Sequence, residues 1–394
     1  MNSSEWRAVA GLSLIQALRM LGMFMILPVF ALYARDLAGG TNSYWIGLAI
    51  GIYGLAQAVL QIPLGGLSDR IGRKPVIVGG MVLFIIGSLI AGTAHDILWV
   101  TIGRFVQGSG AVSAAVSALL ADVTRVEVRT QAMAILGAGM GLSFILALVL
   151  GPLVSGWIGV DGIFLLTAVL GLLAIPAVIF GVPSVPQQSI ARGGFRLALA
   201  DGQLLRLDGG IFLLHACMTC LFLAAPFALV ETLNLPKEAH WKVYLPVLIV
   251  SILPVFPAIR WAERSGNTKP LFISSIVLLS IALLMAAEAH ASAAALIGAI
   301  TVFFIGFNFL EGSLPSLISR RAPPQHKGAA LGIYASSQFL GGFAGSAIGG
   351  FALHHWGYVG VFAAATALPL IWLSFAVGLQ LPAAHSYRAR GQAD

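Results

Sequence analysis

The sequence predicts an all-α membrane protein, with twelve transmembrane helices in two pseudo-symmetric six-helix halves. Three observations predict it. The chain is 58% hydrophobic and only 9% charged, where a soluble globule has roughly 25% charged residues. Its mean hydropathy is +0.94, and apolar runs of about 20 residues recur, each long enough to cross about 30 Å of hydrocarbon. Finally, the loops between the runs alternate between basic and nearly free of basic residues, as spans crossing back and forth require. These numbers exclude a soluble domain with an enlarged core.

Taken in order, helix 1 is predicted over 8–34, helix 2 over 44–66, helix 3 over 75–94, helix 4 over 97–120, helix 5 over 131–157 and helix 6 over 162–182. The longest polar stretch follows, 183–209, with Pro183, Pro186, Arg192 and Arg196. It divides an N-terminal half, 1–182, from a C-terminal half, 210–381. The second half holds helix 7 over 210–232, helix 8 over 243–262, helix 9 over 270–288, helix 10 over 294–317, helix 11 over 328–353 and helix 12 over 358–381. Residues 382–394 form a short tail. Pro28, Pro152 and Pro226 each remove a helix hydrogen bond, and kinks are expected there.

Orientation follows from lysine and arginine. The two termini and loops 2–3, 4–5, 6–7, 8–9 and 10–11 hold 17 of the 22. The opposite loops hold only Arg35, Lys237 and Lys242. The bias places both termini in the cytoplasm of a plasma (bacterial inner) membrane, and explains the net charge of +7 without nucleic acid as a partner.

The halves repeat. Asp69-Arg70-Ile71-Gly72-Arg73-Lys74-Pro75 matches Glu263-Arg264-Ser265-Gly266-Asn267-Thr268-Lys269-Pro270 with one insertion. Gln107-Gly108-Ser109 matches Glu311-Gly312-Ser313, and Arg129 precedes helix 5 as Lys327 precedes helix 11. Two parallel repeats related by an axis along the membrane normal are a secondary-transporter architecture. The first of these loops, 65–75, gathers Gly65, Gly66, Asp69, Arg70, Gly72, Arg73 and Lys74. Lipid cannot accept four charges so close together, so the loop lies at a membrane surface.

Ionisable residues inside spans are rare and usually functional. Here they are Arg19, Arg104, His215 and Glu311, in helices 1, 4, 7 and 10. At helical spacing Gln16 and Met23 join Arg19, Gln107 joins Arg104, Thr219 joins His215 and Asn308 joins Glu311. These four faces are expected to line a shared polar cavity. Glu311 is the one carboxylate well inside a predicted span, poised between desolvation that favours its neutral form and cations that favour its charged form. That balance suits a proton carrier. Gly341, Gly345 and Gly349 in helix 11, Gly137 and Gly141 in helix 5, and Gly151 beside Pro152 form small-residue stripes for close helix packing. Cys217 and Cys220 lie in an apolar run and read as small hydrophobes. The sequence shows no metal-ligand cluster and no Gly-x-x-x-x-Gly-Lys-Ser/Thr loop for ATP. No cofactor is expected, and no nucleophile–base pair points to an enzyme.

These residues resemble the major facilitator superfamily along essentially the whole chain. The 65–75 loop is similar to that family's signature between helices 2 and 3, Arg104 to Gly110 to its helix-4 signature, and Gly137 to Gly156 to its antiporter signature in helix 5. Leu21 to Val29 resembles the helix-1 pattern of twelve-span drug–proton antiporters. Arg19 to Met25 and His240 to Tyr244 resemble YajR-type members. The resemblance implies a conformational latch: Asp69 facing the start of helix 11, Arg73 paired with Asp122, and Gly65 letting helices 2 and 11 approach. It also implies a monomer that exchanges a small-molecule substrate for protons across the lipid bilayer, driven by the proton gradient. The expectation is proton-coupled antiport of small amphipathic compounds or drugs by alternating access. The alternative is a selective carrier of a sugar, amino acid or organic anion, with a receptor that has lost transport behind it.

Overall fold

A computed structural model of the chain describes residues 1–183, 194–289, 292–323 and 326–380. Among these residues there is no strand, only one bridge between Ala38 and Asp96. Ten helical runs are long and apolar enough to cross a membrane. Two of them turn back at a glycine with positive φ, Gly159 at 72° within Val126–Gly181 and Gly357 at 65° within Lys327–Ala365. No side chain adopts this geometry easily, so each run supplies two spans. The outer faces carry bare apolar side chains such as Leu172, Leu173, Phe180, Leu370 and Ile371, the surface a lipid solvent demands.

The helices start where side chains satisfy their free N–H groups. Asn2 and Glu5 form a capping box on Ser3–Met25, Asn42 caps Ser43–Ile71, Asp96 caps Ile97–Ser109, and Asp201 caps Gly202–Leu233. Ser292 caps Ala293–Arg321.

Several breaks differ from expectation. Helix 1 breaks at Ile26, two residues before Pro28, whose missing N–H lets Leu27–Asp36 restart there. Helix 4 breaks between Ile97–Ser109 and Ser113–Val123; its glycines favour the opening, and the freed Gly110 carbonyl accepts from Arg19 at 3.5 Å. Helices 5 and 7 run through Pro152 and Pro226 without a break. Helix 8 breaks between Trp241–Ile252 and Val255–Ser265. The predicted loop 183–209 is shorter than expected, because Gly194–Ala200 and the first residues of helix 7, from Gly202, are helical. Residues 184–193 of that loop, with Arg192, and the tail 381–394, with Arg388 and Arg390, lie outside the described residues.

The two groups of helices share a charge clamp. Arg125 Nε holds Glu5 at 2.9 Å, and Arg321 Nε holds Asp201 at 3.1 Å. Each member of the second pair lies 196 positions after its counterpart, as Ser292 does after Asp96. Each clamp ties the start of the first helix in its half to the end of the fourth.

Between the halves, the closest contacts gather at one end. Gly47 lies against Gly350, where a Cβ would come within 2.9 Å of the glycine Cα, and Gly54 faces the Phe339 carbonyl. Leu223 and Phe227 of helix 7 join Val29, Phe30 and Ile46 in one apolar cluster, and Arg35 lies over the Phe227 ring. At the other end, which carries the 65–75 loop, a Cβ added at Gly137, Gly141, Gly312 or Gly328 would meet nothing within 4 Å. The close glycine contacts between helices 2 and 11, at Gly47, Gly51 and Gly54, stop short of the charged loop, so the halves part, as a cleft, toward that loop.

Two outcomes test this architecture. Gly47→Leu forces a side chain into the closed end, at an overpacking cost of about 1–3 kcal/mol. That shifts a two-state equilibrium by roughly 5- to 150-fold. A cysteine at Phe227, buried in the intact closed end, should then react faster with a water-soluble maleimide by a factor in that range. For the clamp, partial burial pushes the Asp201 carboxyl up, but Arg321 and the N–H groups of Gln203 and Leu204 outweigh it and hold it below its ordinary value. Its contribution is present above about pH 3.9 and is lost as pH falls below that. Asp201→Ala should cost about 1 kcal/mol as a lost cap in thermal unfolding at pH 7. The gap to wild type should narrow in strongly acidic buffer.

Candidate functional site

The charged loop is built on a helix stop. Gly72, at φ 105°, ends helix 2 and starts helix 3, turning Arg73 inward. Its guanidinium is 4% exposed; it pairs with Asp69, contacts Asp122 at 3.1 Å and donates to Ser68 Oγ at 2.7 Å. Asp122 is 7% exposed, so this pair sits out of water. Lys74 donates to the Ile179 carbonyl at 3.1 Å, and Arg70 is exposed. Gly65 differs from the expectation: a Cβ there would meet Ala114 of helix 4, at 3.4 Å, and no atom of helix 11. Helices 2 and 11 meet instead at Gly47, Gly51 and Gly54, because the halves are apart at the loop end in this state. Asp69 correspondingly turns to Arg73 within its own half.

In the N-terminal half the expected cavity residues form an interior network. Arg19 is 1% exposed; it binds Ser113 Oγ, Tyr53 Oη at 3.4 Å and the Gly110 carbonyl. Gln16 donates to the same Ser113 Oγ at 3.0 Å. Arg104, also buried, donates to the carbonyls of Ala49 and Ile50 at 3.4 Å and to Gln107 at 2.9 Å, beneath the Tyr53 ring. Gln107 reaches Ser88 of helix 3 at 2.8 Å. Met23 is buried. These groups knit helices 1 to 4 together, and in this state the two arginines do not face the cleft.

The C-terminal half differs. His215 Nδ1 stands 3.9 Å from Glu311 Oε2, which is buried with no hydrogen-bond partner, while the Glu311 side chain as a whole is 34% exposed, so it borders the cleft. Gln338 of helix 11 bridges the pair, its Nε2 lying 2.8 Å from His215 Nε2 and 3.3 Å from Glu311 Oε1. Asn308 instead turns away, donating to Ser251 of helix 8 at 3.1 Å. Phe144, Phe222 and Phe307 pack edge-on or tilted beside the cluster, with His215 itself 6.1 Å from the Phe307 ring. Arg19 and His215 are repeat counterparts, 196 positions apart. One half places a permanent cation at this register and the other a titratable one.

The glycine stripes divide likewise. A Cβ at Gly341, Gly345 or Gly349 would come within 2.7 Å of Phe212, Ala216 or Leu223, so helices 7 and 11 pack backbone to backbone. Gly151 packs against Met25 and Pro28 at the helix 1 break, next to Pro152. Gly137 and Gly141 differ from the packing expectation and face open space, because they line the open end of the cleft.

Sequence reasoning missed Gln338, Ser113 and the linking role of Tyr53. A search for charges passes over neutral amides and hydroxyls. The signal available was a lone glutamine within the apolar run of helix 11.

The Major Facilitator Superfamily profile matches residues 12–253 and 207–393. The chain is 41% identical over 388 residues to the inner membrane transport protein YajR of Escherichia coli, covering 97% of this chain and 85% of that one. It is 27% identical over 355 residues to the multidrug resistance protein MdtH of Aeromonas hydrophila, covering 87% and 86%. Among solved structures, the nucleoside transporter NupG superposes with a TM-score of 0.74 at 14% identity, over 94% of this chain and 99% of that one, a likeness of fold. A twelve-span bundle around a central cleft, a profile match along the chain and a close relative named as a transporter agree: this protein is a multi-pass membrane transporter, not an enzyme, and belongs to the major facilitator superfamily of secondary transporters.

Proposed function

We propose that the protein is a proton-coupled antiporter that exports small amphipathic compounds by alternating access. One observation carries this reading: Glu311, bridged to His215 by Gln338, is a partly exposed acidic side chain at the edge of the cleft, with one carboxylate oxygen buried and unpartnered. A carboxylate there binds a proton or a substrate in turn, and an antiporter needs that competition. A proton bound to Glu311 has the Gln338 amide and the His215 ring to hold its site in shape. Phe144, half-buried and backed by the buried Phe222 and Phe307 rings, offers apolar surface without fixed polar demands. With the basic loops in the cytoplasm, the described state is open to the inside of the inner membrane.

The latch belongs to the same cycle. In this state Asp69 is spent on Arg73. In the opposite state the loop end closes, and Asp69 becomes free to meet the start of helix 11, whose N–H groups favour an anion. The relative named as a multidrug resistance protein supports amphipathic substrates. The alternative, a selective metabolite carrier, drew on two cavity arginines, and both are buried within their own half here.

The test uses proteoliposomes with an imposed pH gradient and the lipophilic cation tetraphenylphosphonium as probe. Wild type should accumulate the probe against the gradient, and Glu311→Gln should lose the dependence on the gradient while still binding. Gradient-driven accumulation by Glu311→Gln equal to wild type would remove Glu311 from the mechanism. For the latch, Asp69→Asn breaks a partly exposed pair worth up to about 1 kcal/mol. Asp122→Ala removes the buried partner of Arg73 and leaves it only the partly exposed Asp69 and Ser68, at a cost of up to about 3 kcal/mol. Thermal unfolding should rank them in that order, and Asp69→Asn should slow turnover while sparing probe affinity.

A further inference from the structure

We propose that Asp208 is a second proton-carrying carboxylate of the transporter, connected to Glu311 through the Tyr334 hydroxyl. The inference rests on Glu311 carrying the coupled proton. Asp208 falls within the stretch the sequence assigns to a loop, yet it is seated in helix 7 and only 6% exposed. Seven residues separate it from His215 on that helix, so both project from one face. Its Oδ1 is buried with no hydrogen-bond partner. Tyr334 of helix 11 is 6% exposed, and its hydroxyl also has no partner. Gly341 packs against Phe212 and Gln338 against His215, a register that sets Tyr334 beside the turn of helix 7 carrying Asp208. One turn further along helix 11, Gln338 holds Glu311.

Among the described residues, no cation is paired with Asp208. On helix 7, Arg206 donates to the Gly378 carbonyl. On helix 10, Arg321 is held by Asp201, and Arg320 reaches Ser316 at 3.1 Å. Arg196, on the short helix before helix 7, is exposed. Lys327 starts helix 11 about two turns before Tyr334. The described part of helix 12 near this end, Ala367–Ala376, carries no titratable side chain. A carboxylate buried in a span without a cation costs stability and is a functional group by default.

Counted from the loop end of each helix, Asp208 is six residues in, Tyr334 seven, Glu311 ten and His215 thirteen. By depth the four groups run from the loop end toward the centre of the bundle; the Tyr334 hydroxyl bonds neither carboxylate in this state and must rotate to reach each in turn. The transfer balances. The Tyr334 oxygen accepts a proton from one carboxylic acid as its own O–H proton passes to the other carboxylate. One proton moves, the negative charge moves the opposite way, and Tyr334 ends neutral. When the loop end closes over Glu311, these groups remain as a route for the proton.

Infrared difference spectra of the full chain in lipid nanodiscs, titrated from about pH 5 to pH 9, report carboxylic-acid bands directly and need no transport substrate. Wild type should show two bands that titrate. Asp208→Asn should remove one and Glu311→Gln the other. Tyr334→Phe should keep both and slow proton release after a pH jump by about tenfold or more. If an amide at 208 does not fold, carbon-13 aspartate labelling of wild type shifts the Asp208 band without substitution. An Asp208→Asn spectrum identical to wild type, or no titrating band shifted by the label, overturns the proposal while the Glu311 band still titrates. A Glu311 band that does not titrate overturns the coupling role of Glu311 instead, whatever Asp208 does.

Discussion

Hydrocarbon offers no hydrogen bonds, and the rest of this structure follows from that constraint. Every charge must lie at a membrane surface, be paired, or face a polar interior. The surface charges use the first two solutions together: Glu5–Arg125 and Asp201–Arg321 fasten the first and fourth helix of each half at the same end. Arg73 is buried only because Asp69, Asp122 and Ser68 surround it. With their charges satisfied internally, the halves need no ion pair between them. Among the described residues, each ion pair stays within its own half. Contact across the halves is left mainly to small residues and apolar side chains, with Arg35 over the Phe227 ring and a Tyr44–His355 hydrogen bond at the closed end.

The repeat makes the functional asymmetry visible. Helices 1 and 7 share a cap-to-clamp register, and the same position carries Arg19 in one and His215 in the other. In the N-terminal half, Arg19 and Arg104 spend their donors on Ser113, Tyr53, Gln107 and backbone carbonyls. That half is a stiff polar scaffold. In the C-terminal half, His215, Gln338 and Glu311 are loosely coupled, with 3.9 Å between ring and carboxylate, and the Glu311 side chain is partly exposed at the cleft edge. Groups that must gain and lose a proton cannot be locked by strong partners, so the looser half is where coupling belongs.

Much of the fold is legible in the sequence because the bilayer filters composition so harshly. Twelve apolar runs and an alternating basic count suffice for the spans. What the sequence hides is which way a helix faces and where a polar helix end stops being a loop. Residues 194–209 carry charges at loop-like density, yet Asp201 caps a helix there and Asp208 is buried in it. Arg19 and Arg104 read as cavity residues because an arginine in a span needs a polar partner. The partners turned out to be neutral groups on neighbouring helices, which spacing along one helix does not reveal. Gly65, Gly137 and Gly141 read as packing residues, but their contacts depend on which end of the cleft is open.

The most direct test of the account is whether protonation moves the halves. Spin labels at Leu67 and Leu331, both exposed at the loop end, would report the width of the open mouth by pulsed dipolar spectroscopy. The account predicts that the distance distribution changes between about pH 5 and pH 8 in wild type and stops responding to pH in Glu311→Gln. A mouth whose width ignores pH in wild type, or responds equally in Glu311→Gln, would contradict a transporter cycled by a proton on that carboxylate.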